Sequence, residues 1–426
     1  MFPDPAGKLF PDPAGKPLVP WPTPRATDDA GLGVLPKATF KPGPGVLRRD
    51  RCAYYQGMKV SVICRRTPTL HDFPYRGEGR KCYHKWIVNV TPPGKSHCTH
   101  ACEYCYARDA VYSRPGSEGL AVYGDLAAMV ERELAGLALC PPVSISNVTD
   151  PCQDVPELRR AVAELVKVLV RWGVSFHVIT KGDPSFLEEV EGFPGKGYFF
   201  LAVTVEGPPE LLELLSPAAP PYESRLEALR WATSRGLPAV VRLDPVVPPL
   251  WRALYGMKWR EQLVRVLDDC SRAGVGHVVS STGRFTPHTL RTLEKIAAAL
   301  SPDEARSLRE DYLYDRSQTS RGYMLRHPRR VSFHRGARKV AEELGMTYAV
   351  CQELPASEVD SPGLPHCEAF PMPFSRRTGA REFAPITGCT ANCHARCAGL
   401  DPPPCGKAEL ARPQPYKPGT LKKPKN

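Results

Sequence analysis

Asn89-Val-Thr-Pro-Pro-Gly-Lys-Ser-His-Cys98-Thr-His-Ala-Cys102-Glu-Tyr-Cys105-Tyr-Ala-Arg108 is the stretch that decides how this chain is read. Cys98, Cys102 and Cys105 stand in a C-x3-C-x2-C spacing, with Tyr104 just before the last. Three thiolates this close suit a four-iron, four-sulfur cluster that leaves one iron open to a substrate or second cofactor. The plainer alternative is a zinc site with His97 or His100 as fourth ligand, although structural zinc sites more often pair two short Cys-x-x-Cys hairpins.

Outward from this loop, short β-branched runs alternate with amphipathic helices. Strands are expected at 86–91, 143–148, 176–180, 198–205, 239–243 and 276–281. Between the second and third, Leu158, Val162, Leu165, Leu169 and Trp172 recur at alternating spacings of four and three, which predicts one buried helical face. Leu126, Val130, Leu134 and Leu137 predict a helix between the first two strands, and Leu290, Leu293, Ile296 and Leu300 predict one after the sixth. Strict alternation of this kind means parallel strands joined by right-handed crossovers. The cysteine triplet then falls in the loop after the first strand, at the end where parallel barrels carry their chemistry.

The run 89–108 resembles the cluster loop of the radical S-adenosylmethionine (SAM) superfamily. The nearest branch is that of spore photoproduct lyase, where an Asn-x-x-x-x-Cys-x-His-x-Cys-x-Tyr-Cys-Tyr-Ala-Arg pattern recurs with small variations. The resemblance covers roughly residues 85–285 and implies an α/β fold, a partial (β/α)6 barrel. It also implies that SAM chelates the open iron, and that one-electron reduction splits it to a 5′-deoxyadenosyl radical. An electron donor such as flavodoxin or ferredoxin would be the partner. Tyr104 joins the expected cofactor-binding set.

Further site residues follow strand by strand. Asn147, Thr149 and Asp150, in a Thr-Asp-Pro stretch shared with that branch, suit the SAM ammonium; a turn capping the next helix is the alternative, and both can hold. Lys181, in a Thr-Lys pair also found in the branch, suits the SAM carboxylate, where a lone lysine would be solvated. Thr204 and Glu206 share one face, as do Arg242 and Asp244. They fit contacts to the SAM ribose and to substrate, with pairing among charged neighbours as the alternative for Arg242 and Asp244. Ser280, Ser281 and Thr282 would complete the rim. Cys152 departs from the branch, which commonly has tyrosine there. It is a candidate hydrogen-atom donor, the role a cysteine plays in spore photoproduct lyase, or a small buried residue.

The chain has 15 cysteines. Cys389, Cys393, Cys397 and Cys405 can complete a second metal site, an iron–sulfur cluster or zinc, with Cys351 or Cys367 able to replace one ligand. Cys52, Cys64 and Cys82 either join a C-terminal cysteine or are buried. Clustered cysteines favour metal ligation in a reducing cytoplasm over a secreted disulfide scaffold. No apolar run approaches the roughly 18 residues of a membrane helix, so no membrane partner is expected.

At 426 residues and 42% apolar content, one large domain with additions is expected. Eleven prolines within 1–45, with Phe-Pro-Asp-Pro-Ala-Gly-Lys repeated at 2–8 and 10–16, predict an extended arm. A Cys-containing segment at 46–84 precedes the barrel at 85–285. C-terminal helices at 286–350, a Cys-rich region at 351–410 and a basic tail at 411–426 follow. The net charge is +12. The tail carries Arg412, Lys417, Lys422, Lys423 and Lys425, and the stretch 316–339 carries Arg316, Arg321, Arg326, Arg329, Arg330, Arg335, Arg338 and Lys339 without an acid. With Tyr323 and Phe333 interleaved, that stretch fits phosphates and stacked bases, or equally a solvated basic face. Three functions follow: radical SAM chemistry on nucleic acid, the same chemistry on a small molecule or peptide, or a non-catalytic, metal-stabilised nucleic-acid-binding protein.

Overall fold

In the computed structural model, residues 51–55, 58–72, 82–92, 98–108, 119–316, 322–412 and 418–423 are described. The Pro-rich arm at 1–45, the Cys52 side chain, His97, Arg321, Lys417 and Lys425 lie outside them.

Seven parallel strands carry the fold: β1 Trp86–Val88, β2 Val143–Ile145, β3 Phe176–Thr180, β4 Phe199–Thr204, β5 Ala239–Leu243, β6 His277–Ser280 and β7 Thr347–Val350. Their order across the sheet is their order in the chain, and the two-residue strand His71–Asp72 adds antiparallel to β1. Sequential order makes every crossover step the same way, as in a partial barrel. Every residue of β4 and β5 is buried, because helices cover one face and loops and side chains fill the other.

All six expected strands form, and β3 and β5 have the expected bounds. β1 and β2 end early, at Val88 and Ile145, and β2 does so because the chain turns at Ser146, whose φ of 58° leaves the extended region. The seventh strand was not expected. Thr347–Val350 is four residues long, too short to display a period, and it extends the parallel sheet past residue 285.

Helices α1 Leu126–Ala135 and α2 Pro156–Trp172 follow the predicted faces. Leu158, Val162, Leu165, Leu169 and Trp172 are all fully buried. Pro156 opens α2, where its missing N–H costs nothing. Gly173 ends it at φ 69°, and a Cβ there would lie 2.4 Å from the Phe383 carbonyl oxygen. Leu137 lies just beyond α1 and is still buried, whereas Leu300, at the end of Pro287–Leu300, is exposed.

The C-terminal region packs against this end of the sheet. Ser375–Gly379 pairs with Glu382–Pro385 and with Leu139–Cys140. Arg377 donates to the carbonyls of Leu134 and, at 2.6 Å, Leu137, which ties the C-terminal strands to the end of α1. No helix among the described residues is long and apolar enough to cross a membrane.

Candidate active site

The cluster loop leaves the C-terminal end of β1 and is held by three contacts to neighbouring segments and one within itself. Thr99 N–H donates to Gln153 Oε1 at 2.6 Å, Glu103 N–H to the Leu215 carbonyl at 2.9 Å, and Tyr106 OH to the Asn147 carbonyl at 3.0 Å. Arg108 donates back to the Cys102 carbonyl at 3.3 Å. The first three contacts come from the segments after β2 and β4, so neighbouring strands position the loop.

Beside it, β4 runs into Glu206, which is fully buried opposite an equally buried Arg225. Arg225 lies on α4 Tyr222–Ser234, after α3 Pro209–Leu215. Its guanidinium pairs with Glu206 Oε2, and it donates to Ser216 Oγ at 2.9 Å and to the Thr204 carbonyl at 3.2 Å. Ser216 Oγ at 2.7 Å and Tyr104 OH at 2.8 Å both donate to Glu206 Oε1. Burial opposes the Glu206 charge, but Arg225 and Lys181 outweigh it and hold its pKa at about 2. Glu206 is thus the anchor that fixes Tyr104, and its carboxylate is already occupied by protein donors.

Asp150 organises the other side. It accepts from Thr180 Oγ1 at 2.6 Å, Lys181 N–H at 2.5 Å and Cys152 N–H at 2.8 Å, and His100 Nδ1 lies 3.4 Å away. The turn alternative is therefore present as the Asp150–Cys152 contact. It does not cap α2, whose N-cap is Val155 with no side-chain bond. Lys181 is half-buried with its ammonium 5.4 Å from the Tyr104 ring centroid. Burial works against that charge, but Glu206 and Cys102 overcome it and raise its pKa.

The three cluster-loop thiols share this environment. Burial pushes Cys98 up to about 12, with Asp150 adding to the rise. Burial also raises Cys102 and Cys105, while Lys181 favours the thiolate of each. Cys98 with Cys102, and Cys102 with Cys105, are close enough to interact electrostatically. Soft sulfur donors on one loop, flanked by a lysine and an arginine, suit an iron–sulfur group, whose positive irons relieve the cost of buried thiolates. His100 Nδ1 faces Asp150, as the second ring nitrogen of a metal-ligating histidine commonly faces a carboxylate, and His97 lies outside the described residues, so the zinc alternative stays open beside the iron–sulfur one. Among the described residues, no three His, Cys, Asp or Glu side chains already stand in metal-holding geometry. A cavity of about 530 Å³ opens beside the loop, lined by Thr99, His100, Asp154 and Pro220 among others.

The remaining expected residues are spread around this centre. Thr149 accepts from Gln153 at 3.0 Å, and Asn147 Oδ1 accepts from Ser144 at 2.5 Å. Cys152 is 1% exposed beside Asp150 and Thr180, which fits the small-buried-residue alternative. Arg242 pairs with Glu368 at 2.9 Å and Asp244 at 2.8 Å, and Ser281 Oγ donates to Asp244 at 2.6 Å. The pairing alternative for Arg242 and Asp244 is thus realised. Arg225, Ser216, Gln153 and Glu368 were missed by sequence reasoning. His100 and Gln153 sit within or next to the motifs, whereas Arg225 and Glu368 carry no local signal.

Of the C-terminal cysteines, Cys389, Cys397 and Cys405 interact electrostatically, and Cys393 is buried nearby in sequence. Cys351 and Cys367 do not join them; they meet Cys82 instead. The basic stretch is partly neutralised by one acid from a neighbouring helix and two further along its own. Arg329 pairs with Asp311 at 2.8 Å, Arg338 with Glu342 at 2.7 Å and Lys339 with Glu343 at 3.8 Å. Arg330 is buried, and Phe333 is buried against Trp259, which removes it as a stacking surface.

The chain matches no protein-family profile. It is 21% identical over 289 residues to a protein of Pseudomonas phage M6 named Radical SAM Nalpha-GlyT isomerase, covering 66% of this chain and 57% of that one. It is 25% identical over 224 residues to an uncharacterized protein of Mycobacterium tuberculosis, covering 48% of this chain and 61% of that one. The chain thus spans less than two thirds of the length of either relative. Among solved structures, a spore photoproduct lyase variant matches with a TM-score of 0.50 at 15% identity, covering 68% of this chain and 81% of that one. At that identity the likeness speaks for the fold alone. The chain is thus similar in sequence to a protein named as a radical SAM isomerase, and its sequential parallel sheet is similar in fold to spore photoproduct lyase.

Proposed function

We propose that this chain reductively cleaves SAM at a [4Fe–4S] cluster held by Cys98, Cys102 and Cys105, and uses the resulting radical to repair or modify a nucleic acid. The observation that carries this reading is the placement of three thiols on the loop after β1, beside the Lys181–Tyr104–Glu206–Arg225 network. When bound and reduced, the cluster supplies the electron that splits the C5′–S bond of SAM.

The chain's own residues bind and orient. Lys181 offers an ammonium to the SAM carboxylate, a charge-assisted contact. Asp150 fixes the end of β3 through Thr180 and the Lys181 backbone, which aims that ammonium. Arg225 and Glu206 hold Tyr104 as a fixed wall. Thr149 and Asn147 border the same end of the sheet, and Thr204 contributes its carbonyl to the Arg225 anchor. The cavity beside the loop is within the size range of a cofactor-sized ligand. A cytoplasmic flavodoxin or ferredoxin is the proposed electron donor. Cys389, Cys393, Cys397 and Cys405 remain the proposed ligands of a second iron–sulfur cluster or zinc, supported by the mutual reach of three of them.

The nucleic-acid substrate rests on the +12 charge and the basic stretch. A second reading, the same chemistry on a small molecule or peptide, is favoured by the acids that engage Arg329, Arg338 and Lys339. The core reading is tested by anaerobic reconstitution with iron and sulfide, followed by assay of reductant-dependent 5′-deoxyadenosine. Wild type should form it, and the variant with Cys98, Cys102 and Cys105 changed to alanine should not. SAM cleavage by that variant would overturn the assignment.

A further inference from the structure

Three cysteines far apart in the chain meet on segments that flank the first and last parallel strands. Cys82 lies just ahead of β1, Cys351 directly follows β7, and Cys367 lies on the segment leading to the C-terminal strands. The sulfurs of Cys82 and Cys367 are 3.6 Å apart although 285 positions separate them. The Cys351 thiol is close enough to interact electrostatically with both. N–H donors are aimed at these sulfurs: Gln352 Nε2 reaches Cys82 at 3.6 Å, and Arg242 Nη2 reaches Cys351 at 3.6 Å. The neighbouring His366 is buried, and its Nε2 has no hydrogen-bond partner. Its Nδ1 accepts from the Glu368 N–H at 3.2 Å, which puts the ring proton on Nε2 as a further donor.

We propose that Cys82, Cys351 and Cys367 bind a single thiophilic divalent ion, zinc, which staples the lead-in of β1 to the exit of β7. Zinc–sulfur bonds of about 2.3 Å in tetrahedral geometry set sulfur–sulfur edges of about 3.8 Å. The Cys82–Cys367 separation of 3.6 Å is already close to that edge. A four-iron cluster binds each cysteine to a different iron and spreads the sulfurs farther. Sulfur donors also select zinc over magnesium or calcium, which prefer oxygen. The Arg242 and Gln352 N–H groups offset the negative charge of coordinated thiolates, as outer hydrogen bonds do around metal sites.

The three thiols do not yet stand at ligand distances as a set. Binding draws the Cys351 sulfur in and releases the thiol protons to solvent. Three protein ligands leave one position for water or another donor. A sheet of sequential strands has an open seam between its first and last members, and a metal tie there limits its spreading. This function is independent of SAM cleavage.

The test uses the full chain with Cys98, Cys102 and Cys105 changed to alanine, so that the cluster loop contributes nothing. It is loaded anaerobically with zinc, or with Co(II) as a coloured probe. The expected result is cobalt–thiolate absorption, with about one equivalent of metal lost on adding Cys351→Ser or Cys367→Ser. In parallel, iodoacetamide labelling of the wild-type protein is mapped by mass spectrometry, so that the result stands even if those variants do not fold. Bound zinc should protect Cys82, Cys351 and Cys367, and a chelator should restore labelling of the half-exposed Cys351 and lower the melting temperature. The proposal is overturned if metal protects only Cys389, Cys393, Cys397 and Cys405, if a Cys82–Cys367 disulfide is found in place of an ion, or if iron rather than zinc occupies the site.

Discussion

Replacing Arg225 by methionine would strand the Glu206 carboxylate, fully buried, without its guanidinium. Removing one partner of a buried ion pair costs about 3–5 kcal/mol. A second route gives a similar figure. Glu206 is held at about 2 against an ordinary 4.5, which corresponds to about 3 kcal/mol of folding stability at neutral pH. The sign follows from the direction of the shift. The folded pKa is depressed, so the contribution is present above about 4.5 and lost as pH falls from there through about 2. Ser216, Tyr104 and Lys181 still serve the carboxylate in the variant, so the lower end, about 3 kcal/mol, is expected at pH 7. The assay is urea unfolding followed by circular dichroism, for wild type, Arg225→Met, and Arg225→Met combined with Glu206→Gln. The second substitution removes the stranded charge and should recover most of the loss. A loss below about 1 kcal/mol, or no recovery with glutamine, would refute the view that this pair anchors Tyr104.

Lys181→Ala should weaken SAM binding about ten- to hundred-fold, the worth of a charge-assisted contact, while leaving iron content unchanged. Equilibrium dialysis with SAM measures it, and an unchanged affinity would return Lys181 to a solvated role. Gly182→Ala would put a Cβ 2.1 Å from the Cys152 carbonyl oxygen, so the end of β3 must shift, with about 1–3 kcal/mol lost in thermal or urea unfolding. Wild-type stability would show that the β2 and β3 ends are not held this tightly. If the basic stretch grips nucleic acid, changing the exposed Arg316 and Arg335 to alanine should flatten the log–log salt dependence of single-strand binding by about 0.7 for each phosphate no longer neutralised. An unchanged slope, or no binding at low salt, would leave the small-molecule or peptide reading.

Features set by neighbours in the chain were legible from sequence. The α2 face, the bounds of β3 and β5 and the position of the cluster loop all follow from spacing within one element, because a buried face repeats with the period of its own backbone. The same rule placed Lys181 and Asp150 at the ends of β3 and β2, where the structure joins them. What spacing cannot report is the partner that meets a buried face. Arg225, nineteen positions from Glu206, looks like any helical arginine until α4 packs on β4 and both charges lose their water. The basic stretch looks uniformly cationic until Asp311 arrives beside Arg329. Cys82, Cys351 and Cys367 show no motif at all, and only tertiary packing gathers them. Local periodicity encodes burial at a few residues' range, whereas charge pairing and thiol assembly depend on contacts across the whole chain, which tertiary packing alone decides.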